Sequence, residues 1–412
     1  MRLCFPQYFE SKSRFLSYTV VAKAFTLAGH EIVNDMDECD AVLFSMCDAM
    51  EYRDLMRMRD RSKGKVLIVG GSYAFNFWSA KLYCDGVWVG EVYEMADCET
   101  VDDILSSVHC YTGGDELPTS SIRIDWAKVP IAQIAPGKAY YWGGTGCKNH
   151  CRFCFTSWTH PHIVNSQGRI QKARQVCKRK KIHLMISSNE YDNDPGASTF
   201  DMLLKDYLKT PVSANLVRCG IEFATDESRK RVGKPVTFDD MYKALQKAEK
   251  ERVRMKWFHI TGYDRKSDWY DYIDKLCWML DKVRYSLLIT VEFNNLQYQN
   301  YTPLYAERKS INPDNYATRD DTKAWTDSLR KCTKSVMVGQ PSSFQRAAAR
   351  MGVELATNSE QAEFWANVMV NPHKKLTVDQ AYQSLFDTGV MDTKALMLNP
   401  NTGEIRVNER WT

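Results

Sequence analysis

The sequence predicts an α/β chain in three parts: an N-terminal parallel sheet wound with helices, a partial (β/α)6 barrel, and a small, partly helical C-terminal extension. Three observations predict this. Short apolar runs rich in Val, Ile and Leu end in glycine, serine or another turn residue, as buried parallel strands do. Stretches of helical pattern separate those runs. A segment holding Gly113-Gly114, Pro118, Pro130 and Pro136 divides the alternation into two blocks.

The first block covers residues 1–112. Its strand signals are Val42-Leu43-Phe44, Lys65–Val69 running into Gly70-Gly71, and Val87-Trp88-Val89 running into Gly90-Glu91. Ser17–Ala28 and Tyr52–Arg61 read as helices between them. Ligands usually sit in the loops after the carboxyl ends of such strands. Residues 113–138 read as a linker with one short strand. The second block, 139–305, carries strand signals at Ala139–Trp142, His183–Ser187, Val212–Val217, Arg218–Phe223, Met255–Ile260 and Leu287–Phe293. Its helix signals are Gln171–Lys180, Thr199–Leu208, Phe238–Arg252 and Trp269–Val283. The remainder, 306–412, is mixed, with helical patterns at Ser342–Gly352, Ser359–Asn371 and Thr377–Phe386.

Of the 412 residues, 44% are hydrophobic and 26% charged, the balance of a folded chain and not of a disordered or collagen-like one. Lys and Arg number 55 against 51 Asp and Glu, and the resulting charge of +4 neither demands nor excludes a nucleic-acid partner. No run approaches the roughly 18 apolar residues of a membrane span, so no membrane partner is expected. The opening Met1–Tyr8 is broken by Arg2 and Pro6 and does not read as a secretory leader. With 13 cysteines and no such leader, the thiols are expected to be reduced and the protein cytoplasmic.

The most informative segment is Gly143-Gly144-Thr145-Gly146-Cys147-Lys148-Asn149-His150-Cys151-Arg152-Phe153-Cys154. It follows a strand signal directly, and its cysteines are spaced C-x3-C-x2-C. Three close thiolates suit an iron–sulfur cubane, and three ligands for four irons leave one iron open to a substrate or cosubstrate. The alternatives are a zinc site completed by His150, or three unrelated thiols.

This spacing after the first strand of a partial α/β barrel resembles the signature of the radical S-adenosylmethionine (radical SAM) enzymes, and the resemblance extends over 139–305. It implies that Cys147, Cys151 and Cys154 hold a [4Fe-4S] cluster. It implies further that the open iron is chelated by SAM, which is cleaved reductively to methionine and a 5′-deoxyadenosyl radical that takes hydrogen from the substrate. Phe153 corresponds to the family's aromatic near the adenine. Gly220-Ile221-Glu222, followed by Arg229, Lys230, Arg231 and Lys234, resembles the fourth-strand segment that gives polar contacts to SAM. His259-Ile260-Thr261-Gly262 resembles the fifth-strand segment whose backbone lies against adenine, which implicates Ile260 and Gly262. Tyr301-Thr302-Pro303-Leu304 resembles the turn after the sixth strand. Ile186-Ser187-Ser188-Asn189-Glu190 stands where the family holds the SAM amino group, which implicates Glu190. For Glu222 and Glu190 the bland reading is a surface salt bridge.

Leu27–Val33, Asp40–Ser45, Val66–Gly71 and Asp85–Glu91 resemble, in order and spacing, the cobalamin-binding Rossmann-like domain that precedes many radical SAM domains. That resemblance implies cobalamin as a further cofactor, with Ser45, Gly70 and Gly71 letting backbone approach the corrin, and a cobalamin-dependent methyltransferase as the enzyme. His30 reads as structural. A domain that keeps this fold without the cofactor is the alternative for the first block. The rival resemblance is to the methylthiotransferases acting on nucleic acid, with Cys4 and Cys47 near two of their three N-terminal cysteine positions and Ser72 at the third. A non-catalytic metal-binding protein of the same fold is a reading from another class.

The substrate is open: small molecule, peptide or nucleic acid. A reductant protein is the expected partner for the cluster. Lys172, Arg174, Lys178, Arg179, Lys180 and Lys181 read first as a solvated helix face and second as a phosphate-contacting patch. Trp158, His160 and His162 are candidates for a cavity wall or for packing, and Asp192 and Asp194 for substrate contacts. Cys177, Cys219, Cys277 and Cys332 read as buried thiols without metal spacing.

Overall fold

The computed structural model describes residues 1–10, 16–187, 199–212, 215–283, 289–332, 336–371 and 375–410. The expected Glu190, and with it Asp192 and Asp194, lies outside the described residues.

The N-terminal sheet has six strands: β1 (Arg2–Cys4), β2 (Glu31–Val33), β3 (Ala41–Ser45), β4 (Val66–Gly70), β5 (Gly86–Trp88) and β6 (Cys110–Tyr111). Their order is β2-β1-β3-β4-β5-β6, parallel throughout except for β6 on β5. The chain leaves β1 toward β2 and then crosses to β3, so the order reverses between β1 and β3. A crevice opens at such a switch point beyond the carboxyl ends of the strands. The two principal helices run Leu16–Leu27 and Tyr52–Arg61. The second buries Tyr52, Leu55 and Met58 on one face and leaves its arginines outside.

The next strands are β7 (Ile131–Ala135) and β8 (Lys138–Trp142), antiparallel to each other, then β9 (Gly144–Thr145), β10 (Ile163–Val164) and β11 (His183–Ser187). β8 and β11 pair in parallel. β9 and β10 pair antiparallel, Thr145 opposite Ile163, and so close the base of a long loop that carries the cysteine motif.

A second parallel sheet holds β12 (Thr199–Asp201), β13 (Leu216–Glu222), β14 (Arg254–Thr261), β15 (Ile289–Asn295) and β16 (Val336–Gly339), in that order. Along β13 the side chains alternate. Val217, Cys219 and Ile221 are buried in the outer core against helices, and Arg218, Gly220 and Glu222 face the other side. β14 alternates likewise, with Met255, Trp257, His259 and Thr261 buried.

Among the described residues the strands expected over 139–305 lie in a three-stranded sheet β11-β8-β7 and the five-stranded sheet. Three expectations are corrected here. Val212–Val217 and Arg218–Phe223 are not two strands: the ladder on β14 starts at Leu216 and runs as one strand. Thr199–Leu208 is not one helix. Its first residues pair with Leu216–Arg218 as β12, and the helix occupies Leu204–Lys209. The parallel sheet also continues past residue 305, because β16 pairs with β15.

The C-terminal part is not a separate appendage. Helices Phe344–Leu355, Ser359–Val370 and Val378–Asp387 and the hairpin of β17 (Leu396–Leu398) and β18 (Ile405–Val407) share one apolar core with the N-terminal sheet, from Cys4 to Ile405. Polar contacts fasten them. Ser79 Oγ donates to the Val353 carbonyl at 2.7 Å, Arg350 pairs with Asp48 at 2.6 Å, and the Ser120 amide donates to the Gly403 carbonyl at 2.7 Å. Among the described residues no helix is long and apolar enough to cross a membrane.

Candidate active site: two cavities joined by the cysteine loop

Cys147, Cys151 and Cys154 line one cavity of about 470 Å³. Backbone contacts fix the loop that presents them. Trp158 Nε1 donates to the Cys151 carbonyl at 2.9 Å, the Arg152 amide to Val232 at 3.0 Å, and the Leu304 amide to Arg152 at 3.0 Å. The Thr302–Leu304 turn is thus a brace for the cysteine loop. Gly146 has φ +68°, and a Cβ there would lie 2.5 Å from the Pro161 carbonyl oxygen and against that of His160. Only glycine permits this fold of the loop.

Burial pushes the Cys151 thiol up to about 11, Lys234 draws it down, and Cys154, Glu222 and Cys147 raise it again. A thiolate there calls for added positive charge, which a metal centre supplies. The donor set is soft and all-sulfur, as iron–sulfur clusters take. Among the described residues, no three His, Cys, Asp or Glu side chains converge on one ion position. A cluster does not require such convergence, because each of its irons takes one thiolate; a single zinc does. His150 stacks its ring toward Trp158 at 5.3 Å and is not in the cavity wall. The residues present therefore fit a cluster better than the zinc alternative.

Glu222 also lines this cavity. It sits at a bulge where β13 shifts register against β14, and its φ is +75°. A non-glycine residue in that region stores strain. Its carboxylate accepts from Lys234 Nζ at 2.8 Å, and both side chains are nearly buried, 10% and 12% exposed. Burial opposes the charge on Lys234, Glu222 and Cys151 favour it, and the balance lies above the ordinary lysine value. Gly220 makes the pair possible: a Cβ at that position would collide with the Glu222 carboxylate and stand 2.7 Å from Lys234 Nζ. The Arg218–Asp201 ion pair, Phe153 and Phe258 complete the polar and aromatic lining. Phe153 rests edge-on against Phe223, centroids 5.8 Å apart.

Other expected residues take different places. Neither Ile260 nor Gly262 is in the wall; Gly262 lies beneath the Tyr316 ring, and Phe258 represents β14 in the cavity. Arg229 is fully buried and binds the Phe223, Ala224 and Val236 carbonyls and Asp226, so it staples the turn after β13. His162 lines the cavity. Five of the six basic residues on and after helix Gln167–Arg179 are exposed, with Arg174 partly covered. Sequence reasoning missed the Asp201–Arg218 pair, because Asp201 reads as part of a helix and its partner lies on another strand.

A second cavity, also of about 470 Å³, opens beyond the carboxyl ends of β3, β4 and β5. Ser45, Gly70 and Gly71, the three residues expected to receive a corrin, all line it. A Cβ at Gly70 would meet nothing nearer than the Trp88 carbonyl at 3.9 Å, so the bare backbone keeps the floor open. Phe25, Leu43, Ile68, Trp88 and Met95 form a deep apolar slot. A broad, flat ligand with an apolar edge fits this floor and slot. Trp142 and Ser187, at the ends of β8 and β11, and Thr145 and His160 of the cysteine loop complete the cavity wall. Desolvation raises the Glu91 carboxyl in this wall to about 8 and lowers His160 to about 4, so both are neutral at pH 7. His30 is structural: its ring bridges the Met1 amino group at 3.1 Å and the Ala96 carbonyl at 3.0 Å. Cys4 is buried with Sγ 3.5 Å from the Asn34 carbonyl, Cys47 is exposed, and neither lines the cavity. That placement gives no support to a second cluster of the methylthiotransferase kind.

No protein-family model matches the chain, and no curated protein does. Among solved structures, the chain is similar to the radical S-adenosylmethionine methyltransferase TsrM from Kitasatospora setae, solved with tryptophan substrate and a SAM analog bound. The TM-score is 0.51 at 10% identity, with 75% of each chain covered. A further match is the cobalamin-dependent S-adenosylmethionine radical enzyme OxsB with aqua-cobalamin bound, TM-score 0.48 at 12% identity, covering 67% of this chain and 51% of that one. At such identity the likeness to TsrM is one of fold: the chain shares the fold of a radical SAM methyltransferase.

Proposed function

We propose that the protein is a radical SAM enzyme that uses cobalamin for methyl transfer. The observation that carries the reading is a pair of cavities flanking one loop, one walled by three cysteines and a buried Glu–Lys pair, the other by the glycine-floored ends of β3 to β5. When bound, a [4Fe-4S] cluster on Cys147, Cys151 and Cys154 supplies the electron for reductive cleavage of SAM, and cobalamin on Ser45, Gly70 and Gly71 supplies the methyl carrier. The chain's own groups do the rest. Glu222 accepts and Lys234 donates, so the pair complements the ammonium and carboxylate of an amino-acid moiety. Phe153 and Phe258 offer faces for a base to stack on. The buried walls keep water from a reactive centre. A reductant protein is the partner this chemistry requires.

The test is anaerobic reconstitution with iron, sulfide and hydroxocobalamin, with each counted per chain. The expected protein is brown, holds one cubane and one corrinoid, and forms 5′-deoxyadenosine from SAM with a reductant. A colourless zinc protein overturns the reading, as does iron beyond one cubane without retained corrinoid.

A further inference from the structure

A third cavity, of about 690 Å³, is bounded by helix Tyr52–Arg61, the start of helix Phe344–Leu355 and the end of helix Ser359–Val370. None of its lining residues borders either of the two cavities described above. Its floor is aliphatic: Met50, Ala349, Val368, Met369, Val370 and Leu376. Met50 is 47% exposed, a large apolar side chain left in water. Around this floor stand Arg53, Arg57, Arg346 and Lys375, all exposed, and Asp54 is the one carboxylate among the described lining residues. Asp54 answers Arg57 at 3.4 Å. Arg53 donates to the Val370 carbonyl at 3.0 Å, and neither Arg346 nor Lys375 has an ion pair among the described residues. Four cations thus gather against one acid, in a chain whose net charge is only +4.

Such a surface selects among partners. Cations that outnumber carboxylates attract anions and steer their approach. The aliphatic floor adds contact with apolar side chains, and its two methionines adapt to different shapes. A single-stranded nucleic acid stacks its bases on aromatic rings, and no described residue of the lining is aromatic. A bilayer presents a flat sheet of headgroups, which a concave floor does not follow. A polypeptide supplies carboxylates and aliphatic side chains together. We propose that this cavity is a docking site for an acidic peptide segment anchored by aliphatic side chains. The site goes beyond the proposed function and does not depend on it, because its residues line neither the cysteine cavity nor the glycine-floored one.

Random peptides displayed on phage are selected on the full chain, and the enriched sequences are synthesised with a fluorescent label and titrated by anisotropy. The enriched peptides are expected to be rich in Asp and Glu and to carry Leu, Ile, Val or Met. Charge reversal in Arg57→Glu/Arg346→Glu is expected to weaken their binding at least about tenfold. Replacing their aliphatic residues by serine is expected to weaken it as well, which separates a docking groove from a bare patch of charge. A benzophenone in the peptide, which reacts preferentially with methionine, is expected to mark Met50 or Met369 of the unsubstituted chain. That readout needs no substitution, so a variant that fails to fold does not blunt the test. The proposal is overturned if no peptide or only neutral or basic ones are enriched, if the charge reversal or the serine peptides bind undiminished, or if the adducts lie outside the cavity. Anionic vesicles or an oligonucleotide that the chain holds and the charge reversal releases, with no acidic peptide enriched, assign the surface to another partner and overturn it equally.

Discussion

Glu222 reaches the cysteine cavity because a bulge turns its backbone to φ +75° and because Gly220 has no side chain in its way. The carboxylate is tolerable there because Lys234 answers it. Replacing the lysine alone, Lys234→Met, strands a nearly buried charge and is expected to cost about 3 kcal/mol in chemical unfolding. The double variant Glu222→Gln/Lys234→Met is expected to recover most of that loss. If the single and double variants melt alike, the pair is not acting as a unit. Glu91 gives a pH signature of opposite sign to a salt-bridged acid. Its carboxyl is raised from 4.5 to about 8, so its contribution to stability is full below pH 4.5 and is lost as pH rises through 8. Glu91→Gln removes that loss. Its stability advantage over the unsubstituted chain is expected to widen across this range, by up to about 1.4 kcal/mol per pH unit. A constant difference across that range is the disproving result.

The cysteine loop is the element on which both cavities depend. β9 and β10 close its base, Trp158 and Leu304 hold its backbone, and Gly146 lies against the carbonyls of the residues that lead into β10. Gly146→Ala is expected to destabilise the fold by about 2–3 kcal/mol and to lower retained iron and corrinoid together. Loss of iron alone would show that the loop does not couple the two sites. This element was legible in the sequence because its chemistry is local: three cysteines in eight residues after a strand signal. The helix Tyr52–Arg61 was legible for the same reason, its apolar residues recurring at helical spacing. β1, β2 and β12 were not. Each is three residues long, and each exists through pairing with a strand far off in sequence, Leu3 on Ala41 and Phe200 on Val217. His160 was visible only as a wall candidate, because its hydrogen bond to Thr159 and its place opposite β4 arise in the fold.

At the scale of the whole molecule, the first and last elements share a core. Tyr301 donates to the Phe75 carbonyl at 3.1 Å, Arg53 to Val370 at 3.0 Å and Asn300 Nδ2 to the Glu354 carbonyl at 3.3 Å, so the N-terminal part, the segment after β15 and the C-terminal helices are tied pairwise. In a chain ending at residue 112, Phe44, Leu67 and Phe77 would lose the later part of the apolar cluster in which they are buried. Calorimetry of the full chain is therefore expected to show one cooperative transition. Removal of 396–410 is expected to lower its midpoint and bring out dye-binding apolar surface. Two separated transitions would contradict a shared core. The Ser45, Gly70 and Gly71 cluster came from the resemblance of the first block to a cobalamin-binding domain, but neither the strand order nor this closure was legible, since β1 and β2 gave no strand signal and nothing in residues 396–407 announces its partner.

The contact between Ser120 and Gly403 sets a timetable for synthesis. The N-terminal sheet emerges from the ribosome long before the hairpin of β17 and β18 with which it shares a core, so it waits, incompletely covered, until residues 396–407 have followed. Metallocentre assembly on Cys147–Cys154 either precedes that closure, on an open nascent chain, or must await a released one, which makes delivery of iron a question of birth order as much as of affinity.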